Sequence, residues 1–471
     1  MNRPIRRVAF VAMLMTFALL LNVCVSYLLR QDSLNANPQN RRVTDAAFAQ
    51  DRGAILVGNT AVAETVASKD QFKFQRRYPQ GDLYAPVTGF FSYNFGSSEL
   101  EQTYGAQLSG NDDSLFINRL IDLATGAKPR GASVQTTLNA KAQKAAADAL
   151  GSKKGAVVAL NPNTGAILAM VNSPSFNPNL LATHQLNDAR AAWTKLTTDQ
   201  AKPMSNRAVR EIFPPGSTFK VIVSAAALEA GYELDSVLDT SSYRLPGTNT
   251  TINTTCGNSQ TLKRALAVSC NSAFARLGVK LGADALREQA EKFGFGTKPL
   301  SDIASVASRF PDEIDTPQTG LASIGGYDVA ATPLQMAMVA AAVRNDGVVM
   351  QPYLVESVRS ADLQILSQTR PSQLSVATSA ANAAKLRQLM VGVVEDGTGW
   401  RAKIAGVTVG GKTGTANSDN RRTPYAWFIA WADDPDVAIC VFVQDAEMEA
   451  TDVAGGRVAA PIAKAVIEAL R

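Results

Sequence analysis

Histidine is almost missing from this chain: His184 is the only one among 471 residues. A Ser-His-Asp triad would need that residue, and an H-E-x-x-H zinc site would need two. On its own, His184 reads as an ordinary polar residue in a loop. Cysteine is scarce too. Cys24, Cys256, Cys270 and Cys440 show no metal-ligand spacing, so neither a metal nor another cofactor is expected. No run of five like charges occurs, and the net charge is only +5. That charge is too small and too evenly spread to argue for nucleic acid. Internal repeats and low-complexity tracts are absent as well. What remains, 46% hydrophobic and 18% charged residues, fits a globular chain with room for more than one domain.

One long apolar run stands out. Val8 to Leu29 is 22 residues without a charge. A helix needs roughly 20 residues to cross the hydrocarbon core. A cleaved signal peptide has a shorter apolar region, about 7–15 residues, with a small-x-small site close behind. The nearest such site, Ala47-Phe48-Ala49, lies well past the run. Residues 8–29 therefore read as a transmembrane signal anchor behind a short tail, residues 1–7. Arg3, Arg6 and Arg7 precede it, and Arg30, Arg41 and Arg42 follow it. This tie leaves the orientation to be settled by the chemistry.

Residues 30–132 mix short β-like pieces with turn residues and read as a small N-terminal, non-catalytic domain that ends in the connector 127–131. Residues 133–471 form the second domain. Asn139 to Leu150 reads as a capped, alanine-rich helix. Gly155–Leu160 and Ala166–Val171 flank Asn161-Pro162-Asn163-Thr164-Gly165, a hairpin signal. Helical patterning then dominates from about Phe213 to Glu395, with loops near 240–260 and 295–320. Three strand patterns follow, Val407–Thr415, Trp427–Ala432 and Val437–Val443, and a last helix runs from Gly456 to Leu470. Strands at both ends of the domain bracket helices in the middle. The expected fold is α/β of the α+β type. Its antiparallel sheet joins N- and C-terminal pieces, is flanked by helices, and carries an all-helical lobe.

Within the helical region lies Phe213-Pro214-Pro215-Gly216-Ser217-Thr218-Phe219-Lys220. Two prolines and a glycine suit a sharp entry into a helix rather than its interior. Ser217 and Lys220, at i and i+3, share a helical face. A hydroxyl is a poor nucleophile until a base takes its proton. With one histidine in the chain, the candidate base is a lysine, neutral only if burial or a second cation favours that form. Ser-x-x-Lys alone is common on exposed helix faces. Here it occurs once, in company with the one Lys412-Thr413-Gly414 of the chain, which Thr415 follows and Gly410-Gly411 precedes. Glycine in a strand lets a ligand or backbone come close, although a charged edge strand is also an ordinary feature. Ser-x-Asn recurs, with copies that include those beginning at Ser33, Ser92, Ser109, Ser175, Ser269 and Ser418. Only Ser269-Cys270-Asn271 falls between Ser217 and Lys412, in an apolar stretch where short polar side chains need a reason. Cys256 and Cys270 could pair if the domain lies outside the cytoplasm.

The set Ser217-x-x-Lys220, Ser269-x-Asn271 and Lys412-Thr413-Gly414 resembles the penicillin-recognising acyl-serine transferases. Arg52-Gly53-x-Ile55 and Arg77-x-Pro79 resemble the N-terminal region of class B penicillin-binding proteins. Ala156–Ser173 and Ala331-Thr332-Pro333-Leu334-Gln335 resemble their transpeptidase domain. The short N-terminal domain is most similar to the actinobacterial penicillin-binding protein A subgroup. The resemblance implies a penicillin-binding, β-lactamase-like fold with a five-stranded sheet on a small N-terminal pedestal. It implies a peptidoglycan D,D-transpeptidase whose Ser217 attacks the penultimate D-Ala of a stem peptide, with Lys220 as the base. Ser269 would relay a proton, Asn271 would hold the substrate amide, and Lys412 would add positive charge. Thr413 and Thr415, around Gly414, would bind the carboxylate, and the Ser217 and Thr415 amides would form an oxyanion hole. It also implies β-lactams as ligands, and a membrane-embedded glycan polymerase and other cell-wall and division proteins as partners. The N-terminus would be cytoplasmic and the catalytic domain outside. The middle residue of Ser-x-Asn is Cys270. With Cys256 it suggests a disulfide pinning the loop near 256 to the Ser269 helix.

Rival readings share the superfamily. A class A β-lactamase would need a Glu-x-x-Leu-Asn element for deacylation, and the chain has none. A D,D-carboxypeptidase would use the same site with water as acceptor. A β-lactam sensor or scaffold would bind without turnover, and sensors carry several membrane helices where one is expected here.

Overall fold

A computed structural model describes residues 3–30, 45–46, 48–115, 126, 130–416, 424–446 and 454–471. Its first element is a helix, Arg3–Leu29, with no buried residue. It is the one helix among the described residues long and apolar enough to cross a membrane.

The central sheet has five strands, all antiparallel. Their order is Val409–Ala416, Tyr425–Asp433, Asp436–Asp445, Lys154–Leu160, Ile167–Ser173. The two ends of the domain meet where Cys440 pairs with Val158 and Val441 with Val157. The Asp436–Asp445 strand is apolar almost throughout because both of its faces are covered. Val437, Ile439, Val441 and Val443 face one layer, packed with Ala459, Ile462, Ala463 and Val466 of the last helix and with Ala142, Ala146 and Leu150. Ala438, Cys440 and Phe442 face the other layer, with Leu334, Met336 and Val339 of the helix Pro333–Arg344. The period of two along the strand thus sorts its side chains between two cores. The helix Ala140–Leu150 starts where the Asn139 side chain accepts from the amides of Lys141 and Ala142, as its sequence suggests.

One expectation fails. The stretch from 213 to 395 is not helical between its helices Pro333–Arg344 and Ala380–Glu395. Four short strands lie there: Val348–Met350, Val355–Arg359, Ile365–Gln368 and Gln373–Val376. Two of them join a six-stranded sheet in the order Ile365–Gln368, Val355–Arg359, Ser133–Thr136, Ile55–Val57, Thr60–Ala67, Phe74–Arg77. Val355–Arg359 is extended because Ser133–Thr136 supplies its hydrogen bonds, a partner more than 200 residues away that no local window can see. This sheet draws strands from both segments of the chain. The connector at 127–129 lies outside the described residues.

A buried ion cluster holds the N-terminal segment together. Glu101, 0% exposed, accepts from Arg52 Nε at 2.7 Å and Arg76 Nε at 2.6 Å. Tyr78 Oη donates to it at 3.2 Å. Arg76 also donates to the carbonyls of Arg52 and Gly53. Arg77, singled out in the sequence, is instead largely exposed, because alternation along its strand turns Arg76 inward and Arg77 outward. Removing one member of such a cluster leaves uncompensated buried charge, which costs about 3–5 kcal/mol. Glu101→Gln is therefore expected to destabilise the folded protein by about that amount, read by chemical denaturation of the full chain. Arg77→Gln should move it by less than about 0.5 kcal/mol.

Candidate active site

Ser217 is placed by backbone contacts before side chains matter. The Gly216 amide donates to the Gly325 carbonyl at 3.1 Å. Gly216 has φ +54°, and a Cβ there would stand 2.8 Å from the Thr415 carbonyl oxygen. Only glycine fits so close to the neighbouring strand. Gly216–Phe219 forms one 3-10 turn, and the α-helix Lys220–Glu229 continues from it. Ser217 thus stands one turn before Lys220 at a helix start, as its sequence suggests. The helix is buried from Lys220 to Leu228. Val221-Ile222-Val223 is a poor helix-forming run, so tertiary burial holds the helix rather than propensity.

Three elements then converge on one hydroxyl. Lys220 Nζ lies 3.3 Å from Ser269 Oγ, and Lys412 Nζ lies 2.9 Å from the same oxygen. Lys220 Nζ also donates to the Ser269 carbonyl at 2.8 Å and to Asn271 Oδ1 at 2.6 Å. Lys412 Nζ donates to the Thr413 carbonyl at 2.9 Å. Both lysines are 0% exposed. Burial, reinforced by the Lys412 charge, pushes Lys220 well below the usual lysine range. Burial brings Lys412 down to about 7. Two ammonium ions on one hydroxyl in a dry site are unfavourable, so the neutral form of Lys220 is favoured. Ser269 has φ +60°, a costly conformation for a residue with a Cβ. It lies between the helices Leu262–Ala267 and Asn271–Leu281, and this conformation turns its carbonyl and hydroxyl toward Lys220.

The strand Val409–Ala416 brings the third motif. It is an edge of the five-stranded sheet. A Cβ at Gly414 would meet the Pro215 carbonyl at 2.8 Å, so glycine lets this strand lie against the Ser217 turn. Thr415 is exposed beside it, and its Oγ1 accepts from the Gly455 amide at 3.4 Å. Ser217, Ser269, Asn271, Thr413 and Thr415 all line one cleft of about 570 Å³. A larger hollow of about 700 Å³ beside Arg344, Arg387 and Trp431 contains none of them. The chemistry, not the volume, marks the site.

Cys256 and Cys270 are joined by a disulfide with a Cα–Cα distance of 6.0 Å. Cys270 begins the helix Asn271–Leu281, so the bond ties the loop after Thr251–Ile252 to the residue between Ser269 and Asn271. The Ser-x-Asn copies at Ser92, Ser109 and Ser175 lie outside the cleft, and Ser418-Asp419-Asn420 is outside the described residues. His184 is remote from the cleft, against Asp70 and the Phe72 ring.

Sequence reasoning missed several lining residues. Thr398 Oγ1 lies 2.6 Å from Thr413 Oγ1 and orients that hydroxyl. Trp400, 55% exposed, flanks the cleft, and the Arg401 guanidinium sits 4.4 Å from the centre of its ring. Gly455, Gly456 and Arg457 close another side. The turn-rich Gly397-Thr398-Gly399 and the doublet Gly455-Gly456 were the available signals for close backbone approach.

Known proteins resemble this chain over most of its length. Residues 155–468 match the penicillin binding protein transpeptidase domain, and residues 52–134 match the penicillin binding protein A dimerisation domain. The chain is 44% identical to the peptidoglycan D,D-transpeptidase PbpA of Mycolicibacterium smegmatis, over 100% of this chain and 99% of that protein. It is 43% identical to PbpA of Mycobacterium tuberculosis over the same shares. The ceftriaxone acyl-enzyme structure of penicillin-binding protein A from M. tuberculosis superposes with a TM-score of 0.87 at 42% identity, covering 90% of this chain and 99% of that one. The matching domain spans most of the chain and the relatives match it end to end, so this protein belongs to the penicillin-binding protein transpeptidase family.

Proposed function

We propose that this protein is a membrane-anchored peptidoglycan D,D-transpeptidase working through an acyl-serine at Ser217. The observation that carries this reading is the convergence of Lys220 and Lys412 on Ser269 Oγ in the cleft that Ser217 lines. Ser217 Oγ adds to the carbonyl carbon of the penultimate D-Ala of a stem peptide, and its proton passes to neutral Lys220. Ser269 Oγ, bonded to both lysines, passes its proton to the leaving nitrogen and takes in its place the proton that Lys220 received, which leaves Lys220 neutral again. The C–N bond breaks, terminal D-Ala departs, and an ester remains on Ser217. The amine of a second stem then attacks that ester, gives its proton to the same base, and forms the cross-link as Ser217 regains its proton. A β-lactam opens onto Ser217 in the same way, but its leaving nitrogen stays tethered.

The family resemblance supplies the remaining roles, and a hydrogen bond supports the first. Asn271 Oδ1 is held by Lys220, which leaves its NH2 to bind the substrate amide. Lys412 and the hydroxyls of Thr413 and Thr415 receive the carboxylate, and Gly414 keeps that strand close to Ser217. The Ser217 and Thr415 amides stabilise the oxyanion, typically one of the larger catalytic terms. Residues 30–132 serve as the non-catalytic unit and 133–471 as the transpeptidase domain. Peptidoglycan lies outside the membrane, so residues 1–7 are cytoplasmic, 8–29 span, and the rest is extracellular. A glycan polymerase in the membrane, with other cell-wall and division proteins, would contact the anchor and the N-terminal unit.

Labelling, pH and disulfide measurements test this. A fluorescent penicillin should give a stable covalent band on the wild-type chain and none on Ser217→Ala. A transient band with drug turnover would instead indicate a β-lactamase, and no band on folded wild type would sink the acyl-enzyme mechanism. The second-order acylation rate should depend on pH on both sides. As pH rises through about 7, Lys412 loses the charge that draws the carboxylate and the rate falls. At much lower pH, Lys220 gains the proton that disables it as base, and the rate falls again. Lys220→Arg, whose guanidinium stays protonated, should lower acylation by about 10²–10⁴-fold across the whole profile. Mass spectrometry of the non-reduced protein should find Cys256 joined to Cys270. Two free thiols in folded, active protein would remove the role proposed for that bond, which is to hold Ser269. If the role is right, the Cys256→Ser/Cys270→Ser double variant should acylate at least about tenfold more slowly while remaining folded.

A further inference from the structure

Away from the catalytic cleft, a separate cavity of about 290 Å³ lies between residues 85–99 and 172–210. That is near the lower end for small-molecule sites, roughly 300–1,000 Å³. Its walls are aromatic. Phe95 stacks on Trp193 with ring centres 4.4 Å apart, and Phe90 meets Trp193 and Phe176 edge-on at 6.0 and 6.3 Å. These residues form a small hydrophobic cluster of their own, apart from the two cores that cover the central sheet.

One acid and one base line this cavity, Glu99 and Arg210. Glu99 is only 6% exposed. Its Oε1 accepts from Arg210 Nη2 at 2.8 Å, while Oε2 is buried without a partner. Ser175 Oγ, on the same lining, is also buried without a partner. The backbone is strained to put that carboxyl there, with Glu99 at φ +52°. Such conformations persist only where the surroundings enforce them and cluster at binding sites. A buried carboxylate oxygen lacking a donor is costly. Burial pushes Glu99 up to about 7, a penalty that an apposed cation would relieve. Arg210 is already engaged, with Glu99 and with the Ala304 carbonyl at 3.1 Å. The open valence of the site is therefore an acceptor, framed by aromatic rings. That combination suits an N–H cation, because ring faces attract positive charge.

We propose that this cavity is a binding site for a small organic ammonium ion. The Glu99 carboxylate is its anchor, Ser175 Oγ is a second acceptor, and Phe90, Phe95, Phe176 and Trp193 form its walls. The site is distinct from the cleft that holds Ser217, and the inference is independent of the transpeptidase reading.

Benzylammonium is a suitable probe, with a ring for the walls and one primary ammonium. Its binding to the full chain in lipid nanodiscs can be followed by saturation-transfer NMR, with benzyl alcohol as the uncharged counterpart. Wild type is expected to bind benzylammonium saturably, at least tenfold more tightly than benzyl alcohol, and equally well after acylation by benzylpenicillin. Glu99→Gln and Trp193→Ala should each weaken binding at least tenfold while still reacting with benzylpenicillin, which reports on the fold. If Glu99→Gln does not fold, the comparison of the two probes and the Trp193→Ala result decide. Absence of saturable binding to wild type would overturn the proposal and leave the cavity to water. So would equal affinity for the two probes, loss of binding on acylation, or undiminished binding to folded Glu99→Gln.

Discussion

The catalytic centre depends on burying two amines against a single hydroxyl. Lys220 and Lys412 are fully enclosed, and both reach Ser269 Oγ. Water would solvate both as ammonium ions and leave no base near neutral pH. Enclosure reverses that, because removing the solvent penalises the charged form and the second lysine penalises it further. The chain thereby obtains a neutral proton acceptor without histidine. The cost is a site that would rather be solvated, so the surrounding structure has to hold it shut. The helix Lys220–Glu229 does so with a run of buried apolar residues, and the strand Val409–Ala416 does so through its place in the sheet. The Phe274 ring, 5.4 Å from Lys220 Nζ, fills the remaining side.

That enclosure is continuous with the N-terminal segment. The strand Val355–Arg359 leaves the catalytic region to enter the six-stranded sheet. Its entry is fixed by Asp302, whose Oδ2 accepts from the Leu354 amide at 2.6 Å and whose Oδ1 accepts from Tyr104 Oη at 2.7 Å. Arg210, on the short helix leading toward Phe213 and Ser217, is paired with Glu99. Asn206 Nδ2 donates to the Pro86 carbonyl at 2.8 Å. These polar links are buried or half-buried: Tyr104 with Asp302 and Glu99 with Arg210 join side chains across the two segments, and Asn206 joins a side chain to backbone. They fix register in a way that apolar packing alone would not. The two segments therefore meet through a shared sheet and specific bonds, rather than as units free to slide.

Much of this could be read from the sequence because the chemistry is local. Ser217 and Lys220 lie one turn apart behind a proline-glycine entry, and Lys412-Thr413-Gly414 lies in a strand buried almost throughout. The hairpin at 154–173 and the two strands at 425–445 show as short apolar runs bounded by turn residues. What stayed hidden depends on distant partners. Glu101 gave no local sign that it would take Arg52 and Arg76, 49 and 25 residues away. Nothing local separates Arg76 from Arg77 either, and only the alternation of their strand turns the first inward and the second outward. The strands between 348 and 376 were read as part of a helical region because their pairing partners lie elsewhere in the chain. Thr398 carries no motif, and only its bond to Thr413 shows its place.

The disulfide follows from the same constraint. Ser269 must hold an unfavourable backbone conformation while its hydroxyl and carbonyl face two amines. The two helices beside it are held by the core, but the loop packed before them has little regular structure. The strands at 237–239, 243–244, 251–252 and 259–261 are two or three residues long and pair only among themselves. Such ribbons are marginal without a core beneath them. A hydrogen-bonded anchor would compete with water at this rim. A covalent bond at Cys270, adjacent to Ser269, does not. It also leaves both polar side chains of the motif free, since the residue between them is the one that points into the protein, with Cys270 at 0% exposure. The alternation in Ser269-Cys270-Asn271 thus separates the two tasks. Ser269 and Asn271 serve the lysines, and the residue between them secures the loop that keeps them there.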